Sequence, residues 1–250
     1  MSPDGDYCVV GQLRDSAISV WDMQRGESLA RINLSLNVRL AGSIRDADFL
    51  PDGRTFVALS AGSEENVRWW RIGDEGVEEE RRPWPALPEA TCLAIRPKVA
   101  DLVLVGKRAG QTTGAEFRAI QTGEIVRALP HEASVTSVAF DPTGLLAATG
   151  CQDGSVRVWS VPSGELVAGP MTRPGSVAAL AFGSGPSAGV LAAVNDDGSL
   201  RYWDARTGLP LGPRLGHTGA LSVAFDPTGR MVMTGGGGGH VRFWEVPPPP

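Results

Sequence analysis

The chain is predicted to be all-β, a row of repeated four-stranded meanders, on three observations. Short apolar runs alternate with tight-turn chemistry: residues 131–169 hold Val135 to Phe140, Leu145 to Gly150, Ser155 to Ser160 and Glu165 to Ala168. They are parted by Asp141-Pro142-Thr143-Gly144, Gln152-Asp153-Gly154 and Pro162-Ser163-Gly164, residues that tight reversals require. The pattern then recurs, because the last apolar residue of each first strand falls at Phe49, Ile95, Phe140, Phe182 and Phe225, in steps of 46, 45, 42 and 43 residues. Finally, a tryptophan closes most third strands, at Trp21, Trp70, Trp159, Trp203 and Trp244. One such sheet is too small to bury both of its faces, so each needs a like neighbour on either side; this period and strand count mark the blades of a β-propeller.

With these residues in place the chain resembles WD40 repeat proteins over essentially all of its 250 residues. In that family a His before the first strand, a Ser or Thr on the second, an Asp in the next turn and a Trp on the third form a hydrogen-bonded chain. The resemblance implies such a chain at His131, Thr149, Asp153 and Trp159, the buried carboxylate fixing the imidazole tautomer and the hydroxyl accepting the indole N–H. In the next unit Arg173 stands for the His and Val194 for the hydroxyl residue, while Asp197 and Trp203 are kept. In the last unit His217, Thr234 and Trp244 are kept and Gly238 stands for the Asp.

In chain order, the repeat gives one domain over residues 1–246 with blades near 1–32, 33–87, 88–129, 130–170, 171–214 and 215–246, then a proline tail at 247–250. Residues 1–5 align with 49–53, so the first blade lacks its inner strand, and prolines stop the last blade before its outer strand. The expectation is a six-bladed piece of a larger propeller. The second blade carries the charge run Glu78-Glu79-Glu80-Arg81-Arg82, which reads as a solvated outer strand or a docking site for a basic partner. Trp69 and Trp70 are adjacent on a strand and face opposite sides, one in the core and the other between blades. The third blade has Arg118 where the Trp belongs, with Phe117 as a weaker anchor, and is expected to be the least stable.

Composition bounds the function. A net charge of −5 disfavours a nucleic-acid partner, whose phosphates call for a basic patch. All but Lys98 and Lys107 of the 23 basic residues are arginine, which reads as the codon usage of a GC-rich bacterial genome. Cys8, Cys92 and Cys151 lie in different blades with no CxxC, as small core residues of a reducing compartment. No apolar run spans a bilayer and no basic-then-apolar start marks a signal peptide, so no membrane partner and a cytoplasmic location are expected.

No catalytic, cofactor-binding or metal-binding set is nominated. His240 in a turn has no second ligand at useful spacing, and the Gly235 to Gly239 run lacks a Walker lysine and a following helix, so it reads as a strand-to-strand turn. The resemblance instead implies a binding face formed by the loops that enter the first strand and those between the second and third. Carried over by position, this face comprises Arg14, Ser43, Arg45, Glu89, Thr91, Ser134, Thr136, Gln152, Ser176, Asp196 and Leu221. Residues 203–213 also resemble propellers at the C-terminal end of large bacterial proteins, often joined to a Ser/Thr protein kinase. The expected function is a non-catalytic protein-interaction scaffold or sensor propeller, the regulatory part of a larger bacterial signalling protein with an upstream domain such as a protein kinase. A small-molecule sensor or an enzyme using the central channel is the alternative.

Overall fold

The computed structural model describes residues 1–12, 17–33, 43–61, 66–110 and 114–247. They form 22 strands and one short 3-10 turn at Gly185–Ser187. The strands pair in chain order into six sheets, the first and last of three strands and the rest of four. Sheet one holds β1 (Tyr7–Gln12), β2 (Ala17–Asp22) and β3 (Glu27–Asn33). Sheet two holds β4 (Ile44–Phe49), β5 (Thr55–Ser60), β6 (Val67–Gly73) and β7 (Gly76–Glu80). Sheet three holds β8 (Ala90–Ile95), β9 (Leu102–Lys107), β10 (Gly114–Ala119) and β11 (Ile125–Pro130). Sheet four holds β12 (Val135–Phe140), β13 (Leu146–Cys151), β14 (Ser155–Ser160) and β15 (Leu166–Thr172). Sheet five holds β16 (Val177–Phe182), β17 (Val190–Asn195), β18 (Ser199–Asp204) and β19 (Pro210–Gly216). Sheet six holds β20 (Ala220–Phe225), β21 (Met231–Gly236) and β22 (Val241–Glu245). This is the predicted six-bladed all-β architecture. Among the described residues no helix is long and apolar enough to cross a membrane.

By internal contact the chain divides into two compact units, Met1–Val105 with Glu116–Val126 and Gly106–Ala115 with Arg127–Pro250. In the first, Ile18, Val20, Phe49, Phe56 and Trp70 are buried between sheets one and two, and Val57, Val67, Trp69, Leu93 and Val103 between sheets two and three. In the second, Val156, Val158, Leu180 and Trp203 join sheets four and five, and Ala192, Leu200, Tyr202 and Val232 join sheets five and six. Period-2 alternation explains the Trp69-Trp70 pair: both rings are buried, each in a different intersheet core. Trp70 stacks on Phe56 at 5.3 Å; Trp69 meets Trp84 at 5.5 Å, and the Trp84 indole N–H donates to the Ile120 carbonyl at 2.9 Å.

The charge run is used locally. Arg68 makes a two-pronged pair with Glu79 at 2.7 and 2.6 Å, and those bonds hold the Glu79 carboxyl below its ordinary range. Arg82 pairs with Glu80 at 2.9 Å and lies 4.2 Å over the Trp69 ring. In sheet three Phe117 is 1% exposed, and Arg118, in place of the Trp, is buried by pairing with Glu116 at 2.9 and 2.6 Å and donating to the Gly123 carbonyl at 2.5 Å.

One irregularity recurs on the innermost strands. The register with the second strand slips between Ile44 and Asp46, Val135 and Ser137, Val177 and Ala179, and Ala220 and Ser222, leaving Arg45, Thr136, Ala178 and Leu221 as bulged residues. A bulge re-aims the side chain it carries. Arg45 donates to the Ala90 carbonyl of the next innermost strand, and Thr136 donates to the Val177 carbonyl at 2.7 Å. The following residue completes the tie: Asp46 accepts the Leu93 N–H at 2.9 Å and Ser137 the Leu180 N–H at 3.1 Å. Asp48 adds a third bond, from the Ile95 N–H at 2.8 Å.

Asp46 and Asp48 each keep some open surface, yet the protein around them is dense enough that burial dominates. It raises both carboxyls against the pull of those N–H bonds, Asp46 to about 7 with a contribution from neighbouring Asp48. A carboxyl raised in the fold binds a proton that the unfolded chain has released, so its stabilisation is lost as pH rises through the folded value. Between pH 6.5 and 8 the melting midpoint should fall by about 1–2 °C, because His131, neutral in the fold but half protonated in the unfolded chain at pH 6.5, offsets part of the Asp46 loss, and in Asp46→Asn the fall should vanish or reverse. Differential scanning calorimetry of both proteins at the two pH values measures this.

Candidate interaction face and buried side-chain networks

The loops of the predicted face are fixed in pairs. In sheet four the Gln152 N–H donates to the Ser134 carbonyl, in sheet five the Asp196 N–H to the Ser176 carbonyl, and in sheet two the Ala61 N–H to the Ser43 carbonyl, all at 2.8 Å. In sheet six the Gly237 N–H donates to the Gly219 carbonyl at 3.1 Å. Each bond joins the loop entering the innermost strand to the turn between the second and third strands, or to its edge. Sheet by sheet, the fold thus brings Ser134 beside Gln152 and Ser176 beside Asp196.

Their side chains differ in availability. Gln152 and Asp196 are exposed, Leu221 is 57% exposed, and Ser43, Glu89, Thr91 and Ser176 are half-buried. Ser134 is buried and accepts the Ala109 N–H at 2.9 Å. Arg45 and Thr136 serve the ties described above. Arg14 lies outside the described residues.

The buried chain in sheet four forms with one change of member. His131 Nδ1 lies 2.8 Å from the Leu129 carbonyl, and its Nε2 lies 2.7 Å from the Thr149 hydroxyl, which accepts the Trp159 indole N–H at 2.9 Å. A carbonyl only accepts, so the proton sits on Nδ1 and the Thr149 hydroxyl donates to Nε2. Burial pushes the His131 pKa down to about 4, against the Leu129 bond, and the ring is neutral at pH 7.

Asp153 is not the member that orients the imidazole, contrary to expectation. Its side chain is exposed and accepts from the Ser155 N–H at 2.9 Å and the Ser155 hydroxyl at 2.6 Å. Partial burial works against these bonds, but they prevail and hold its carboxyl below the ordinary range. The reason is local: a carboxylate two residues before the strand start closes the turn on itself. Gly154, at φ +79°, allows this turn, since a Cβ there would strike the Arg173 carbonyl oxygen.

Sheet six keeps the chain with the ring turned over: His217 Nδ1 lies 2.7 Å from the Thr234 hydroxyl, which accepts the Trp244 N–H at 2.9 Å. Sheet five does not keep it. Thr149 pairs with Arg157 and Ala193 with Arg201, so Ala193, and not Val194, occupies the hydroxyl position. The Trp203 indole nitrogen is buried without a hydrogen-bond partner. Asp197 accepts the Ser199 N–H at 2.8 Å and pairs with Arg214 at 2.6 Å, so neither Trp203 nor Asp197 belongs to a network here.

Two asparagines escaped the sequence reading. Asn195 donates to the Gly175 carbonyl at 2.9 Å, and Asn66, fully buried, exchanges two bonds with the Leu87 backbone at 2.6 and 2.7 Å. The available signal was alignment, because Asn66 stands where Ser155 and Ser199 stand in their sheets. His240 is exposed, and among the described residues no group of three or more His, Cys, Asp or Glu side chains could hold a metal.

Thr149→Val should orphan both the imidazole and the indole and cost on the order of 2–4 kcal/mol, whereas Asp153→Ala, confined to one turn, should cost about 1 kcal/mol or less. Urea unfolding of the two variants separates the roles.

Comparison with known proteins follows the same residues. Residues 123–160 and 210–245 match the WD domain, G-beta repeat. Each match begins at or near the outer strand of one sheet and ends after the Trp of the next, and each includes one complete His–Thr–Trp chain. The chain is similar to a periodic tryptophan protein 2 homolog of Schizosaccharomyces pombe, 32% identical over 120 residues that cover 47% of this chain and 14% of that protein. It is similar to transducin beta-like protein 3 of Bos taurus, 32% identical over 117 residues, covering 46% and 15%. It is also similar to nuclear distribution protein PAC1 of Arthroderma benhamiae, 31% identical over 138 residues, covering 50% and 30%. The alignments thus reach less than a third of each relative's length. Two stretches of this chain match the WD40 repeat, and its six sheets of three or four antiparallel strands are the all-β arrangement that such repeats build.

Proposed function

We propose that the chain is a non-catalytic protein-interaction scaffold, one WD40 propeller domain over residues 1–246, that binds through the loop face. The observation that carries this reading is the pairing of loops in sheets two, four, five and six. Gln152 and Asp196 stand on turns already fixed by backbone bonds and Leu221 on the strand beside such a turn, so little ordering cost is added when a partner binds. The histidines in sheets four and six are held by threonine hydroxyls in the core, a structural use. Similarity to WD-repeat proteins supports the same reading.

The finer reading places this propeller in the cytoplasm as the regulatory part of a larger bacterial signalling protein. It rests on the arginine bias and the wording of residues 203–213. The genomic frame and the size of the native protein on a blot test it, a kinase domain in frame being the expected result.

For the face itself, Gln152→Arg with Asp196→Arg should weaken partner binding about tenfold or more while leaving the melting midpoint within about 2 °C. The assay is proximity cross-linking in cells followed by titration of the captured protein against both forms. Unchanged affinity would move the binding site off this face.

A further inference from the structure

Between β7 and β8 the chain reads Arg81-Arg82-Pro83-Trp84-Pro85-Ala86-Leu87-Pro88. Proline fixes its own φ at about −65° and pushes the residue before it into extended backbone, so Arg82, Trp84 and Leu87 are extended ahead of Pro83, Pro85 and Pro88. Such a run favours the polyproline II helix, which has about three residues per turn and no internal hydrogen bonds. Burial follows that period: Trp84 is half-buried and Leu87, three residues on, is buried. The other two edges, Pro85 with Pro88 and Pro83 with Ala86, are exposed. A strand would instead bury every second residue.

The inward edge is held at both of its residues. The Trp84 indole bonds the Ile120 carbonyl, and Asn66 exchanges its two bonds with the Leu87 backbone. The Trp84 N–H donates to the Arg82 carbonyl at 2.8 Å, which turns the chain sharply about Pro83. Gly123, at φ +70°, lets the segment lie close, since a Cβ there would fall 2.7 Å from the Pro85 ring. Among the described residues the carbonyls of Pro83, Pro85 and Ala86 accept no hydrogen bond. A ridge of prolines with open carbonyls is thus displayed in one fixed conformation, so a protein that binds it loses little to ordering.

One charge accompanies the ridge. Arg68 takes Glu79 and Arg82 takes Glu80, which leaves Arg81 exposed at the head of the ridge without a hydrogen bond or ion pair among the described residues. We propose that the ridge docks a partner protein through an aromatic-lined groove with carboxylates at one end, the prolines lying against the rings and Arg81 against the carboxylates. Grooves of that kind select a preformed polyproline II helix, and Pro85-Ala86-Leu87-Pro88 has the proline spacing of their ligands. The site goes beyond the loop-face scaffold reading and shares no residue with it.

Titration calorimetry of the full chain against a panel of purified SH3 and WW domains, which present such grooves, tests the proposal. At least one domain should bind. Pro85→Ala with Pro88→Ala should weaken that binding about tenfold or more. Arg81→Ala should weaken it about threefold, a difference that closes as salt is raised. Ala86→Glu, on an exposed edge, should also weaken it about tenfold, and it repeats the test without removing a proline if the double variant loses its sheet signal by circular dichroism. Gln152→Arg with Asp196→Arg should leave the binding unchanged, which separates this site from the loop face. A chain that binds no domain of the panel, binding that survives both the double proline variant and Ala86→Glu, or binding that the loop-face variant abolishes overturns the proposal.

Discussion

A four-stranded sheet has two faces, and the whole chain is shaped by the need to cover both. Alternation along a strand sends neighbouring residues to opposite faces, so a strand buried on both sides must be apolar at every position. β5 and β17 meet that demand with buried runs, and β6 meets it with two adjacent tryptophans. Outer strands such as β11 and β19 lie largely in water and carry prolines and glycines that an inner strand would not accept. Burial thus falls from the inner strands to the rim, and sequence character falls with it.

Apolar cover alone leaves sheets free to slide, and short polar side chains restrict that freedom. In sheets two and four the bulge on the innermost strand turns one residue out of the ladder and toward the next sheet. Arginine or threonine there reaches a carbonyl, and aspartate or serine beside it receives an N–H. Unlike residues do the same work because the requirement is one donor and one acceptor at fixed points. Deeper in sheet four the Thr149 hydroxyl is both donor and acceptor, and in sheet six the Thr234 hydroxyl bonds both rings, which leaves neither histidine nor tryptophan unsatisfied at that atom. Sheet five, with Ala193 and an unpartnered Trp203, relies on packing instead.

The period, the turns and the third-strand tryptophans were legible because they are fixed by chain geometry that each repeat must satisfy anew. Register within a buried strand was not. β17 reads Val190-Leu191-Ala192-Ala193-Val194 with no polar residue to set its phase, so the hydroxyl position fell one residue late, on Val194 in place of Ala193. Asp153 misled because a turn carboxylate can close its own turn or reach a distant ring, and the strand-start serine decides between them. The innermost-strand ties were invisible for another reason: Asp46 and Asp48 look like solvent-facing residues until a neighbouring strand is placed against them. Two of the predicted face residues, Arg45 and Thr136, proved to sit on these ties.

The matched repeats are out of step with the sheets they build. Residues 123–160 take β11 from sheet three and β12 to β14 from sheet four, and residues 210–245 take β19 from sheet five and β20 to β22 from sheet six. Each matched unit is therefore laced into two sheets, so the outer strand of one sheet is held by the same unit that builds the inner strands of the next.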